Sequence, residues 1–255
     1  MRLAILSSGS SGNATIIQTS STTILLDAGI TCAQVRRRLD TIGLEGTMPN
    51  AILLTHAHGD HTSGLEVICG KHPGLTCYAN VLTANALYGK EIPFLIFEDG
   101  APFELGDILV TPIPVPHDAP GTVGYRLESN GKALLYLSDL GCIGPAVRAH
   151  AEQVDLIAVE SNHDPRLLQA SARPDFLKQR IAGRFGHLSN GDAAEFVRSC
   201  ASPRLRHLVL LHLSHACNSP ELARETMSAC LREINRPDIT LTIATPETPT
   251  PIIQL

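Results

Sequence analysis

The segment Leu53-Leu54-Thr55-His56-Ala57-His58-Gly59-Asp60-His61 constrains this chain more than any other. A short apolar run leads straight into four side chains of metal-ligand type. His56 and His58 lie two apart, so in extended backbone they point the same way. A helical zinc motif would instead space its pair at i and i+4. Asp60 and His61 follow Gly59, which permits a tight turn that aims them at a second point. Two donor pairs on one loop suit two metals about 3.5–4 Å apart. Histidines scattered on a surface loop are the bland alternative. With 11 His in 255 residues, accident would write such a string in only about one chain in a thousand.

One loop cannot complete two metals, because each takes about four or five ligands including water. The others are expected at further strand ends, where loops gather. His117 ends the run from Val110, Asp139 follows Leu134–Ser138, and His212 follows Leu208–Leu211. Each puts a polar side chain at the exit of an apolar strand, where burial without a partner is costly. Imidazole and carboxylate without Cys suit two divalent ions of Zn, Mn or Fe.

Short β-branched runs alternate with helical patterns along the chain. Strands are expected at Leu3–Leu6, Ala14–Thr19, Thr23–Asp27, Ala51–Leu54, Leu109–Val115, Val123–Leu127, Ala133–Leu137, Leu156–Val159, Leu208–Leu213 and Ile239–Ile243. Helices are expected at Thr31–Ile42, Thr62–Cys69, Gly144–Val154, Pro174–Ile181, Asn190–Cys200 and Pro220–Ile234. No shift in composition splits the chain. Residues 1–255 are therefore expected to form one domain of sheets with helices outside, and the Pro-rich 245–255 a tail or edge extension. No apolar run approaches the roughly 18–20 residues of a membrane span, and the first residues are too short for a secretory signal. Seven Cys, an odd number without a CxxC pair, point to reduced thiols in a cytoplasmic protein. The net charge of −5 gives no general pull toward nucleic acid.

In chain order THAHGDH, His117, Asp139 and His212 resemble the second to fifth motifs of the metallo-β-lactamase fold superfamily. That resemblance implies an α/β (α+β) fold, the αββα sandwich of two mixed sheets with helices outside. It also implies that His56, His58 and His117 bind one metal, that Asp60, His61 and His212 bind the other, and that Asp139 bridges. The geometry of the loop agrees with the split between its two pairs but does not assign the bridge.

Three more segments bear on substrate. Ser7-Ser8-Gly9-Ser10-Ser11-Gly12-Asn13 is either an ordinary hairpin turn or a cradle of hydroxyls and backbone N–H groups for an oxyanion. Glu160-Ser161-Asn162-His163-Asp164 follows a strand and either lines the cleft or caps a helix. In Gly186-His187-Leu188-Ser189-Asn190, a helix cap explains Ser189 or Asn190 but not His187, a candidate proton donor to a leaving group. With LLDAG and SDLG these segments resemble the WalJ/YycJ-type hydrolases, which are similar to ribonuclease Z and cyclic phosphodiesterases. The resemblance implies a binuclear phosphodiester hydrolase, a 5′-end exonuclease with DNA as its substrate. Asp60 would then hold the second metal and orient the nucleophile, and His187 would act as the acid. Ser8, Ser11, Asn162, His163 and Ser189 are the substrate-binding candidates. One departure follows His212, where Ser214-His215-Ala216-Cys217-Asn218 stands in place of the family's acidic and Asn residues. From Arg166 to Gly186, five basic residues against Asp175 form a local positive stretch, either a track for phosphates or a solvated helix face. The alternative function is a small-molecule phosphodiesterase or thioesterase of the same fold. A redox or metal-binding role is less favoured, since no GxGxxG segment is present.

Overall fold

A computed structural model describes residues 1–255. In chain order the first half runs β1 (Arg2–Ser7), β2 (Ala14–Gln18), β3 (Thr23–Leu26), α1 (Cys32–Thr41), β4 (Ala51–Leu53), α2 (Gly59–Thr62), α3 (Leu65–Lys71), β5 (Thr76–Asn80), α4 (Val81–Ala86) and β6 (Phe94–Phe97). The second half runs β7 (Phe103–Leu105), β8 (Ile108–Pro114), β9 (Val123–Ser129), β10 (Lys132–Leu137), α5 (Pro145–His150), β11 (Leu156–Glu160), α6 (Pro165–Ala170), α7 (Asp175–Ile181), α8 (Asn190–Cys200), β12 (His207–Leu211), α9 (Pro220–Glu233), β13 (Thr240–Ile243) and β14 (Ile253–Gln254).

The strands form two seven-stranded sheets, ordered β14-β1-β2-β3-β4-β5-β6 and β13-β12-β11-β10-β9-β8-β7. Both sheets are mixed, with parallel pairing from β3 to β6 and from β10 to β13. Their strands read as unbroken apolar runs because both faces are covered. In β1, Leu3 and Ile5 enter the core between the sheets, while Ala4 and Leu6 face outward. In β12, Val209 and Leu211 face inward, and Leu208 and Leu210 meet the outer helices. The result is the α/β sandwich of two mixed sheets expected from the motifs.

Some elements differ from the sequence reading. The helix expected over Thr62–Cys69 is α3, which starts only at Leu65 and runs to Lys71; the one-turn α2 before it was not expected, and between them a Cβ on Gly64 would fall 2.0 Å from the Ile30 carbonyl oxygen. The helix expected over Gly144–Val154 is the short α5. β5, β6, β7, α4 and α6 were not expected. In the Pro-rich end, Thr250 Oγ1 accepts from Ile5 N at 3.0 Å, and β14 pairs antiparallel with β1. No helix is long and apolar enough to cross a membrane.

Parallel strands send their carboxyl ends to the same edge. There the chain leaves β3 at Asp27, β4 just before Thr55 and His56, β10 just before Asp139, and β12 at His212, while Glu160 is the last residue of β11. At the opposite edge, Asp155 Oδ2 accepts from Ala133 N at 2.8 Å and Arg204 Nε at 3.0 Å, binding the starts of β10, β11 and β12 together. Burial pushes this carboxyl up, but the hydrogen bonds from Arg204 and Ala133 hold it below its ordinary value. A depressed folded pKa stabilises above the unfolded value of about 3.9, and the benefit is lost as pH falls through the folded value. Asp155→Ala is expected to cost about 1–3 kcal/mol at pH 7, measured by urea unfolding. The gap between parent and variant should close as pH falls below about 4. A gap constant with pH would mean that packing, not charge, is what Asp155 supplies.

Candidate metal centre

The loop after β4 holds its four donors in two conformations. His58 is extended, with φ −60° and ψ 150°, and α2 begins at the next residue. His56 therefore sits near His58, with ring centroids 4.7 Å apart, while Asp60 and His61 turn inward on one helical turn. Gly29 makes room for that turn, since a Cβ on it would lie 1.7 Å from the Asp60 carbonyl oxygen. Asn13 N donates to the same oxygen at 2.7 Å.

The second sheet supplies the rest. His56, His58 and His117 bring donor atoms within 4.8 Å of one another, as do Asp60, His61 and His212. Asp139 lies between the two sets. Its Oδ2 is 3.0 Å from His61 Nε2, and its Oδ1 is 3.1 Å from His212 Nδ1 and 4.0 Å from His117 Nε2. The two triads proposed from resemblance are thus spatial triads, and the carboxylate expected to bridge stands where both meet.

Two carboxylates absent from the sequence-derived site organise it from behind. Asp27 is fully buried, accepts from His61 Nδ1 at 2.7 Å and from Thr55 N at 2.8 Å, and has φ 60°. Glu160 is fully buried and takes His187 Nδ1 at 2.7 Å and His212 Nδ1 at 2.9 Å on one oxygen. Its other oxygen accepts from Leu188 N at 3.0 Å and Leu140 N at 3.2 Å. Together they complete an alternating row, Asp27–His61–Asp139–His212–Glu160–His187. Burial raises Asp139, but His212 and His61 overcome this and hold it well below its ordinary value. Burial likewise raises Glu160, yet His187 and His212 hold it low. His187 is lowered by burial and raised further by Glu160, so its net shift is upward.

These donors fit a divalent metal. The Nδ1 atoms of His61, His117 and His212 are hydrogen-bonded, to Asp27, Gly186 O and Glu160, and His56 Nδ1 lies 3.0 Å from Thr55 Oγ1. On the opposite side of the rings, His56 Nε2, His117 Nε2 and His212 Nε2 are buried with no hydrogen-bond partner. Such orphaned atoms are rare in folded proteins and call for a partner. Imidazoles fixed through one nitrogen by carboxylate or carbonyl, with the other free, are how proteins present metal ligands.

A cleft of about 290 Å³ opens beside these groups, walled by His58, Asp60, His187, Ser10, Arg173 and Arg180 among others. The five substrate candidates have diverse placements. Asn162 lines the cleft and donates to His212 O at 2.8 Å. Ser8 is buried, and its hydroxyl accepts from His212 N at 2.8 Å, holding a residue whose φ is 53°. Ser11 is exposed away from the cleft lining, where Ser10 stands instead. Ser189 is spent on a capping box with Asp192. His163 is buried beside a different cavity, behind α7, with Pro165 and Lys178. Of the basic stretch, Arg173 and Arg180 reach the cleft, but Arg166, Lys178 and Arg184 do not. In the divergent segment, His215 is exposed and Asn218 is buried on Ser161 O and Asn162 O. Asp27 and Asp118 were missed, whereas Glu160, Asn13, Ser10 and Arg173 lay in segments singled out but were given no role of their own. The strand-exit rule that found Asp139 applies equally to Asp27 and Glu160.

Comparison with known proteins places this arrangement. A family described as β-lactamase superfamily domain matches residues 22–213. The chain is 33% identical over 266 residues to the exodeoxyribonuclease WalJ of Streptococcus pneumoniae, covering 100% of this chain and 98% of the relative. It is 33% identical over 239 residues to the exodeoxyribonuclease YycJ of Bacillus anthracis, covering 91% and 90%. Among solved structures, Zn2+-bound PqqB from Methylobacterium extorquens shares the fold, with TM-score 0.72, 17% identity and full coverage of both chains.

Elemental analysis of reconstituted protein is expected to approach two divalent ions per chain, and saturation at one would defeat the two-triad arrangement. Glu160→Gln should leave the fold intact yet weaken metal binding about 10- to 100-fold in a chelator competition, because His212 loses its anionic anchor. An unchanged affinity would remove Glu160 from any ordering role.

Proposed function

The chain belongs to the β-lactamase superfamily and, within it, to the family of the WalJ and YycJ proteins, and from this we propose that it is a binuclear metal-dependent phosphodiesterase acting as an exonuclease at 5′ ends of DNA. The observation that carries the reading is the meeting of two donor triads on the two oxygens of Asp139, beside a cleft edged by arginines. The names of the two relatives support DNA as the substrate. His56, His58 and His117 would hold one ion, Asp60, His61 and His212 the other, with Asp139 shared; zinc, manganese and iron all suit the set. When bound, such ions would lower the pKa of a coordinated water and offset charge building on the phosphate oxygens.

The chain's own groups do the remainder. Asp60 opens onto the cleft, with Oδ2 3.5 Å from His212 Nε2, and orients the attacking water. His187 commits Nδ1 to Glu160, which leaves Nε2 to protonate the departing 3′-oxygen. Glu160 favours the charged imidazole and fixes its ring, so the acid is ready before the strand arrives. Ser10, on the turn after β1, offers its hydroxyl to a terminal phosphate. Seven free thiols support a reducing, cytoplasmic setting.

Reconstituted enzyme given DNA labelled at either end should release mononucleotides from 5′-phosphorylated ends and act less well on 5′-hydroxyl ends. Hydrolysis of small phosphodiesters with every DNA and RNA left intact would decide for the small-ester alternative. His187→Ala should cut turnover on DNA by about 10²–10⁴-fold with metal content retained. The loss should be far smaller on a nitrophenyl phosphodiester, whose leaving group needs no proton. Equal losses on both substrates would assign His187 an architectural role.

A further inference from the structure

Two guanidinium groups line the cleft, and the protein answers only one of them. Arg180 Nε donates to Asp118 Oδ2 at 2.8 Å, and its Nη2 reaches the same oxygen. Arg173 Nε is buried and meets no hydrogen-bond partner, although Arg173 lines the same cleft as Asn162, His187 and Ser214. A guanidinium presents five donors in a rigid fork, and burying part of it unpaired is costly unless a ligand completes it. The acids facing the cleft are Asp60, Asp118 and Asp139, and Arg180 is committed to Asp118, which leaves Arg173 as the guanidinium open to phosphate.

The backbone that carries the fork is also held in advance. Arg173 precedes Pro174, whose ring confines the preceding residue to extended backbone. Behind it, Lys178 Nζ donates to Gln169 O at 2.8 Å and ties α7 back to α6. A donor fixed before its ligand arrives loses little freedom on binding. Arg173 makes no ion pair with any donor of the metal centre, so its charge is left for a phosphate beyond the one that the ions would hold.

We infer that Arg173 receives a backbone phosphate of the bound strand other than the scissile one, and so makes the site selective for substrates with two or more phosphates over single phosphodiesters. This rests on the phosphodiesterase reading and adds the substrate feature that the cleft selects.

The test is fluorescence anisotropy of a labelled 5′-phosphorylated oligonucleotide with metal-loaded His187→Ala protein, with and without Arg173→Ala, over about 50–200 mM salt. Removing the fork is expected to raise Kd about tenfold or more and to reduce the salt slope by about one. Arg173→Lys should keep the slope but recover only part of the affinity, since a point charge replaces a fork. With His187 intact, Arg173→Ala should raise KM for the oligonucleotide several-fold more than KM for bis(4-nitrophenyl) phosphate, with kcat on DNA much less affected. Equal Kd and slope with and without Arg173, or equal rises in KM on both substrates, would overturn the inference. No binding even with Arg173 present would overturn the DNA reading itself, and the inference with it.

Discussion

Burying ionisable groups together is tolerable only when each charge faces its opposite, and the centre of this molecule is built on that condition. Asp27, His61, Asp139, His212, Glu160 and His187 follow one another as carboxylate and imidazole in strict alternation, each contact between 2.7 and 3.1 Å. Removing any one would strand its neighbours in a medium that cannot solvate them. The row explains why two residues with left-handed backbone, Asp27 and His212, are tolerated. Hydrogen bonds from distant chain hold their strain: Asp27 N donates to Leu53 O at 3.0 Å, and at His212 Ser8 Oγ accepts from the N–H while Asn162 Nδ2 donates to the carbonyl.

The same condition decides what could be read from the amino-acid order. The string from His56 to His61 was legible because its spacing is local: two extended positions, a glycine, then a turn. His117, Asp139 and His212 were legible because a polar group at the end of an apolar strand has few reasons to be there. Asp27 and Glu160 satisfy the same rule, but they face the backs of imidazoles, and nothing local says which side of a ring a carboxylate will meet. The placement of the serines was hard to read for a related reason. A hydroxyl takes whatever donor is nearest in space, and for Ser8 that is an amide 204 residues away.

Fold legibility followed burial. Strands covered on both faces wrote themselves as apolar runs, and the αββα arrangement followed from the motifs they carry. The strands missed lie toward one edge of each sheet, where Leu95 and Ile96 are exposed and β7 spans only three residues. Patterns weaken where one face meets water. The positive stretch was legible as charge but not as direction, since a loop ending at Pro174, not a helix face, turns Arg173 into the cleft.

His56, His58, Asp60 and His61 leave the first sheet, whereas His117, Asp139 and His212 leave the second, so the donors straddle the seam between the two halves. Ions seated there would act as rivets as well as reagents. Filling those sites would add ties across the seam to the apolar core already packed there, and the free energy of metal capture would become part of the free energy of folding. A cell short of metal would then hold not a silent reservoir of intact enzyme but a loosened molecule open to proteases. Supply of the ion and lifetime of the protein would form a single equilibrium.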